Sequence, residues 1–251
     1  MPKLPHPKPV VSIVIPTYNE ESYLPQCLSA LKHQKYPHPY EIVVVDNNST
    51  DQTIRVAHNY RVKLVHEKRQ GVTYAKNTGC HHARGRIIAV LDADNIPPPD
   101  WLATITTTLN NPQFALITGP YRVPDQSPFW AKLVTRLMVL TEKIFQALTG
   151  NTIHVWGGNL AFRKRDFDKT GGYDLDFGYG ADEVKIRLDF LHRGRVFLVP
   201  AMEITTSSRR FKLGPHHFFI EFGLKHYFGN LIKRKLTKKT ATDPIAIREE
   251  C

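Results

Sequence analysis

Two aspartates separated by one residue, Asp92 and Asp94, are the strongest candidates for chemistry in this sequence. They follow the short apolar run RIIAVL at residues 86–91, which is typical of a buried strand. Residues i and i+2 of a strand point the same way, so both carboxylates can face one ligand. A hard divalent cation, Mn²⁺ or Mg²⁺, prefers such oxygen ligands and leaves room for phosphate oxygens. The alternative interpretation is a pair of acids that caps the following turn.

Two more polar clusters follow apolar runs. The segment PTYNE at residues 16–20 comes after VVSIVI, and Asp46 comes after EIVVV at residues 41–45. A strand-to-helix turn offers backbone N–H groups to an anion or a base, and Tyr18 could stack on a base. Asp46 could accept a hydrogen bond from a base or a ribose. The alternatives are a capped helix start and an aspartate that begins a turn, whereas Asp51 suits the first turn of a helix.

A third group of candidates lies later in the chain. Asp182 and Glu183 stand at the start of a predicted helix, where a carboxylate could take a proton from a substrate hydroxyl. Acids at this position also stabilise a helix dipole, which is the alternative. Arg209, Arg210 and the pair at residues 216–217 (His-His) follow, and arginine suits bidentate contact with phosphate. Exposed polar residues near a helix start are the alternative there.

The elements that position these residues alternate in type along the first half of the chain. Strands are predicted at residues 10–15, 41–45, 63–66, 86–91 and 114–118, and helices at 20–33, 49–60, 72–83 and 101–109. The helix at 49–60 is expected to open with a capping box, Ser49 to Gln52. Apolar strands joined by helices predict a parallel sheet covered on both faces. Ligands of such sheets bind at the carboxyl ends of the strands, so the three polar clusters should converge there.

The second half is less regular. An amphipathic helix is predicted at residues 129–148, a tight loop entering a strand at 157–162, a helix at 182–192 and a strand at 195–199. There is no internal repeat and no linker-like stretch, so one domain is expected.

Composition is that of an ordinary globular protein, with 251 residues, 41% hydrophobic and 23% charged. The three cysteines, at positions 27, 80 and 251, fit no metal spacing and favour a reduced, cytoplasmic setting. The N-terminal residues lack the apolar core of a signal peptide, and no uncharged run approaches the roughly 18 residues of a membrane span.

The formal charge of +11 is concentrated near the C-terminus, where residues 209–239 hold nine Lys or Arg and one acid, Glu221. A basic patch of this kind can meet a membrane surface, a nucleic acid or an acidic substrate, and a solvated tail is the alternative. The stretches at residues 130–148 and 218–232 could lie on a membrane, or pack on the domain or on a second subunit. The basic segment lacks the regular aromatic interleaving of a single-strand platform, so no nucleic acid is expected.

Five sequence blocks in order now carry a family resemblance. They are VSIVIPTYNEESYLPQCLSAL, EIVVVDNNSTDQT, GVTYAKNTGCHHARGRIIAVLDADNIPPPDWL, GGNLAFRKRDFDKTGGYD and GADEVKIRL. Together, at residues 10–188, they resemble the inverting glycosyltransferase family 2. The resemblance implies an α/β protein of GT-A type, with a mostly parallel central sheet and helices on both faces. It also implies a domain at residues 1–235, with a nucleotide-binding half at 10–120 and an acceptor half at 121–235, before a basic tail at 236–251.

The resemblance implies roles for individual residues. The nucleotide and donor site would comprise Pro16, Thr17, Tyr18, Glu20, Asp46, Arg69, Lys76, Asp92, Ala93 and Asp94. Asp94 would be the direct ligand of the divalent metal, and Asp92 would face the ribose and the metal. Gly157, Gly158 and Asn159 would line the sugar and acceptor pocket. The family usually supplies its catalytic base from a Gly-Glu-Asp motif, but residues 180–183 read Gly-Ala-Asp-Glu, so Asp182 is the first choice and Glu183 the alternate.

The expected function is metal-dependent inverting transfer of a sugar from a nucleotide-diphosphate sugar, by default a UDP-sugar, to a glycan or a lipid-linked acceptor. A polyprenyl-phosphate acceptor and a catalytically degenerate nucleotide binder are the alternatives. A nucleotidyltransferase would need a glycine-rich phosphate loop after the first strand, which is absent, and so is the GxGxxG of a nicotinamide enzyme. The expected location is cytoplasmic, with peripheral contact at the inner membrane face through the basic C-terminal segment, and a homodimer is left open.

Overall fold

The computed structural model describes residues 7–124, 127–176 and 181–209. Within these ranges nine strands are present: β1 (Val11–Thr17), β2 (Tyr40–Asp46), β3 (Lys63–His66), β4 (Ile87–Leu91), β5 (Phe114–Thr118), β6 (Tyr121–Arg122), β7 (Asn159–Arg163), β8 (Arg195–Leu198) and β9 (Ile204–Thr205). The helices of the same ranges are α1 (Leu24–Lys32), α2 (Thr53–Asn59), α3 (Val72–His82), α4 (Trp101–Leu109), α5 (Phe129–Thr149), α6 (Lys164–Thr170) and α7 (Ala181–Leu191).

Seven of these strands form one sheet in the order β3-β2-β1-β4-β7-β5-β8. Strand β7 runs antiparallel to its neighbours β4 and β5, and every other described pairing in the sheet is parallel. The predicted α/β fold with a mostly parallel central sheet is therefore confirmed. Strands β6 and β9 form a separate short parallel pair.

The central strands are apolar on both faces because helices cover both sides of the sheet. Ile13 and Ile15 of β1 pack in a core with α1, α2 and α4. Val14, between them in sequence, packs in the second core with α3, α6 and α7. This alternation follows from the two-residue period of a strand, and it holds the strand ends rigidly in place.

The order of strands creates a crevice between β1 and β4. From β1 the chain moves to β2 and β3 on one side, and then returns to form β4 on the other side of β1. A reversal of this kind separates the loops that follow the two strands, so ligands of open α/β sheets bind at that point. The loops at residues 18–23 and 92–100 border it.

Three details of the predicted elements were wrong. The predicted helix at residues 20–33 begins only at Leu24, and strand β1 continues through Pro16 to Thr17. The predicted capping box does not form, because α2 begins at Thr53 and Ser49 Oγ accepts a hydrogen bond from the Asn19 N–H instead. Asp51 precedes the helix, and its Oδ1 accepts the Thr53 N–H at 2.9 Å.

Several sequence-based predictions lie outside the described residues. These are the histidine pair at 216–217, the stretch at 218–232, most of the basic segment, and the tail at 236–251. The domain limits therefore stay a prediction. In the part of the chain that is described, no helix combines the length and the apolar character needed to cross a membrane.

Candidate active site

The polar clusters that follow β1, β2 and β4 lie side by side at one edge of the sheet. Strands β1 and β2 are paired in parallel, with Thr17 opposite Asp46, and β4 pairs with the other side of β1. Thr17 is buried and donates its hydroxyl to the Val45 carbonyl at 3.1 Å, which fixes the two strand ends together. The pairing of these strands therefore brings the three clusters to one edge of the sheet, as predicted.

An arginine connects the two sides of the crevice. Arg209 donates Nη1 and Nη2 to the two carboxylate oxygens of Glu20, at 3.0 and 2.8 Å. The same Nη2 lies 3.1 Å from Asp94 Oδ2, and Ser207 donates its hydroxyl to that oxygen at 2.6 Å. The guanidinium carbon of Arg209 is 4.8 Å from the centre of the Tyr23 ring. All three charged side chains are buried, so this is a shielded, paired cluster at the switch point of the sheet.

Asp46 is held at the end of β2 by contacts on both of its oxygens. Its Oδ1 accepts the Ser49 N–H at 3.3 Å, and its Oδ2 lies 3.0 Å from Nδ1 of His66. The carboxylate is buried, whereas the His66 side chain is half exposed. His66 was missed by the sequence analysis, although it ends β3 directly opposite Asp46 in the pairing of β2 with β3.

Asparagines fix the loops around this edge. Asn19 adopts a positive φ of 51°, and its Oδ1 accepts the Thr50 N–H at 2.8 Å. Asn47 donates Nδ2 to the Glu67 carbonyl at 2.8 Å and accepts the Gly71 N–H at 2.7 Å. Asparagine suits such positions because its short amide tolerates left-handed backbone and satisfies local backbone groups. These bonds tie the loops after β1, β2 and β3 to one another.

Arg69 lies on the loop after β3, with its side chain mostly exposed. It donates Nε and Nη2 to the Glu67 carboxylate at 3.1 and 3.2 Å, and its guanidinium lies 4.7 Å from the Tyr74 ring centre. The hydrogen bond from Arg69 is the main reason that the pKa of Glu67 falls to about 2, since burial acts in the opposite direction. The predicted contact of Arg69 with donor phosphate stays a prediction.

Lys76 and Asp182 form a buried ion pair between α3 and α7. Lys76 Nζ donates to Asp182 Oδ2 at 3.3 Å, and both side chains are at most 2% exposed. Lys76 was predicted to contact the donor and Asp182 to be the catalytic base, so the structure brings two predicted site residues into direct contact. The pair also fixes the first turn of α7, which carries Glu183.

The glycines before β7 allow two carboxylates to approach the backbone. The Gly157 N–H donates to Glu183 Oε1 at 3.1 Å, and a Cβ on Gly157 would overlap that carboxylate. A Cβ on Gly158 would overlap the Asp92 carboxylate in the same way. The Gly158 N–H donates to the Tyr121 hydroxyl at 3.0 Å, a contact that the sequence analysis did not identify. A side chain at either position would displace the neighbouring carboxylate, so glycine at these positions allows the close approach.

Asn159 points away from this surface. Its side chain is fully buried, where Oδ1 accepts the Trp101 indole N–H at 3.0 Å and Nδ2 donates to the Met202 carbonyl at 2.7 Å. The residue thus joins β7, α4 and the turn before β9. Its role in the sugar pocket stays a prediction, and both polar atoms of its side chain make hydrogen bonds inside the core. Pro16 and Ala93 are also buried, and Tyr18 is partly exposed.

The acids at the end of β4 fit a hard divalent cation by their chemistry. Asp92 and Asp94 supply carboxylate oxygens, and Asp94 Oδ2 already attracts the positive charge of Arg209. Among the described residues, no three acidic, histidine or cysteine side chains gather into a metal-binding group. Two carboxylates suffice for a metal that shares its coordination with phosphate oxygens, which is the usual manner in which Mg²⁺ binds with phosphorylated ligands.

Comparison with known proteins gives consistent matches. The profile of "Glycosyl transferase family 2" matches residues 12–171. A glucosyl-dolichyl phosphate glucuronosyltransferase of Haloferax volcanii is 26% identical over 184 residues, covering 69% of this chain and 58% of that protein. A dolichol-phosphate mannosyltransferase of Pyrococcus furiosus is 31% identical over 208 residues, covering 79% of this chain and 57% of that protein.

A similar solved structure is a mannosyltransferase from Pyrobaculum calidifontis in complex with GDP-Man and Mn²⁺. It has a TM-score of 0.71 and 27% identity, and the match covers 90% of this chain and 65% of that chain. The matches therefore span less than two thirds of each of these three proteins.

Proposed function

The chain belongs to glycosyl transferase family 2, and from this premise we propose that it transfers a sugar from a nucleotide-diphosphate sugar to a glycan or a lipid-linked acceptor, with inversion at the sugar carbon. The observation that carries the proposal is the buried cluster of Glu20, Asp94 and Arg209 at the switch point of the sheet. A site of this kind, with both charges at one crevice, suits a ligand that combines a base, a ribose and a diphosphate.

The nucleoside would lie across the ends of β1 and β2. Pro16, Thr17 and Tyr18 form the floor of this part of the site, and Glu20 and Asp46 are the acids that can accept hydrogen bonds from a base or ribose. Asp46 is well placed for this because Ser49 and His66 hold its carboxylate in one orientation. Arg69 and Lys76 are proposed as cations near the diphosphate. UDP is the default carrier, and the similar mannosyltransferase bound to GDP-Man makes GDP the first alternative.

Asp92 and Asp94, on either side of Ala93, would hold Mn²⁺ or Mg²⁺, with Asp94 as the direct ligand. When bound, such a cation neutralises the charge that develops on the diphosphate as the sugar bond breaks. The chain itself supplies Arg209 beside Asp94, so a positive charge stands at this end of the site in the structure. An arginine here can also pair with phosphate oxygens once the donor is present.

Of the two candidate bases, we favour Glu183 and keep Asp182 as the alternative. An inverting transfer needs a carboxylate that reaches the acceptor hydroxyl and takes its proton as the oxygen attacks the sugar. Glu183 is partly exposed and is held by the Gly157 N–H beside the predicted acceptor loop. Asp182 is almost fully buried and paired with Lys76, so an acceptor hydroxyl reaches it less readily than it reaches Glu183.

The acceptor would approach over Gly157 and Gly158, near Tyr121. A lipid-linked acceptor is consistent with two of the relatives, the glucosyl-dolichyl phosphate glucuronosyltransferase and the dolichol-phosphate mannosyltransferase. Contact with an anionic membrane surface through the basic segment at residues 209–239, at the inner membrane face, belongs to this proposal.

Calorimetric titration with UDP, GDP and CMP, each with and without Mn²⁺, tests the donor site. One nucleotide should bind tightly with Mn²⁺ and weakly without it, and D94N should weaken that binding at least tenfold. The matched control is D100N at the N-cap of α4, an exposed position where the aspartate side chain makes no capping hydrogen bond. Nucleotide binding that is equal in D94N and wild type would refute the assignment of Asp94. Radiolabelled donor and solvent extraction of the product then separate a lipid acceptor from a soluble one.

A further inference from the structure

Helix α5 exposes a continuous apolar stripe along its whole length. Its members recur every three or four residues, as one face of a helix requires. They are Phe129 (78% exposed), Leu133 (45%), Leu137 (50%), Leu140 (53%), Ile144 (54%) and Leu148 (80%). The helix has 21 residues and is therefore about 31 Å long. Contiguous apolar surface of this extent on a folded domain marks a site of interaction.

The charges of α5 are sorted by sign. Its basic residues Lys132, Arg136 and Lys143 lie at or near the surface, and at about 100° per residue they border one edge of the stripe. The only acid of the helix, Glu142, is 1% exposed and faces the opposite side. An apolar face flanked only by cations is the pattern of a helix that lies in the interface of an anionic membrane.

This charge pattern distinguishes a lipid surface from a second copy of the chain. In a symmetric dimer with antiparallel α5 helices the same patch meets itself, and the basic edges of the two copies lie on the same side of the contact and repel. An anionic lipid surface attracts the same residues and receives the apolar side chains between its headgroups. The formal charge of +11 for the whole chain also favours binding to an anionic surface.

The stripe is connected to the proposed acceptor site. Buried Glu142 accepts the N–H groups of Ile153 and His154 at 2.9 and 3.0 Å, so it ties α5 to the loop that leads to Gly157. The Ile153 side chain is also exposed, at 43%. Three residues after His154, Gly157 contacts Glu183.

We propose that the exposed face of α5, named here the α5 stripe, docks onto an anionic lipid surface, while Glu142 on the opposite face of the helix fixes the loop before Gly157 relative to that surface. This inference rests on the proposed function for the identity of the acceptor site, but membrane docking itself does not require transfer activity.

Sedimentation with sucrose-loaded vesicles tests the proposal, using the full chain and equimolar phosphatidylcholine and phosphatidylglycerol. The variant L137Q/L140Q/I144Q should bind about tenfold more weakly, because three apolar side chains no longer enter the interface. The matched control L137I/L140I/I144L keeps the apolar surface and should bind as wild type does. R136E/K143E should weaken binding to these vesicles and leave the weak binding to pure phosphatidylcholine unchanged.

Equal binding of the glutamine variant and wild type would overturn the proposal, since the basic C-terminal segment would then account for all the attraction. A wild-type dimer in light scattering that the glutamine variant dissociates, without vesicle binding, would overturn it in favour of a second copy. Nucleotide titration is run on the same preparations and reports the donor site independently. Normal vesicle docking without nucleotide binding would refute the proposed function alone, and normal nucleotide binding without docking would refute this inference alone.

Discussion

Replacing Lys76 with methionine should strongly destabilise the protein, because it leaves Asp182 as a buried carboxylate without its lysine. Both side chains are at most 2% exposed and 3.3 Å apart, so water cannot replace the lost partner. Breaking a buried pair from one side costs about 3–5 kcal/mol, most of it the desolvation of the remaining charge. The double variant K76M/D182N removes both charges and should recover at least about 2 kcal/mol of that loss, as a coupled pair requires.

Urea denaturation measures the effect through the transition midpoint, with an unchanged slope as the sign that the unfolded state is not altered. The matched control is K164M, which removes the lysine of a partly exposed pair with Asp168, four residues along α6. That variant should lose no more than about 0.5 kcal/mol. A loss in K76M as small as in K164M would show that water reaches Asp182, and the reason for preferring Glu183 as the base would then fail.

Three further predictions concern the same site. E183Q should lower kcat by about 10²–10⁴ while nucleotide affinity, followed by calorimetry, stays within twofold of wild type; full activity would return the role of base to Asp182. R209Q should raise the apparent affinity for Mn²⁺ in the presence of nucleotide, because it removes a competing cation from Asp94, and a lower affinity would instead identify Arg209 as a ligand of the donor. Glu67 has its pKa lowered from 4.5 to about 2 in the folded protein, so its contribution to stability is complete above pH 4.5 and is lost as the pH falls toward 2. E67Q should flatten the dependence of unfolding free energy on pH in that window, and an unchanged slope would contradict the role of its bond with Arg69.

Most of the fold could be predicted from the sequence because the strands of this sheet are buried on both faces. Short, β-branched apolar runs such as that of β4, bounded by turn residues, favour buried strands over helices. Helix starts were harder, since serine, threonine and aspartate satisfy backbone groups of a neighbouring loop as readily as those of a helix. Ser49 Oγ accepts a hydrogen bond from the Asn19 N–H in the loop after β1 instead of capping the helix. No local sequence pattern predicts this contact.

Some residues of the candidate site could also be predicted from the sequence, and others could not. Asp46 and Asp94 could be found because each ends an apolar run, and the sheet rule places such ends at one edge. Arg209 was a candidate for phosphate contact, but its pairing with Glu20 could not be predicted, because 189 residues separate the two. Its partners depend on how β9 returns the chain to the crevice, which is a property of the whole fold.

Several buried acids at and beside this edge have a cationic partner that comes from another element. Glu20 and Asp94 share Arg209, and Asp182 has Lys76. Burying a carboxylate without such a partner would cost several kcal/mol, so the fold can hold several acids at one edge only by supplying these groups. A divalent cation that binds with the donor would therefore replace Arg209 beside Asp94 or join it there. It would not neutralise an unpaired carboxylate. Affinity for the donor then depends on the free-energy difference between Asp94 paired with Arg209 and Asp94 paired with the metal. Substitutions of Arg209 should therefore change metal dependence more than they change nucleotide selectivity.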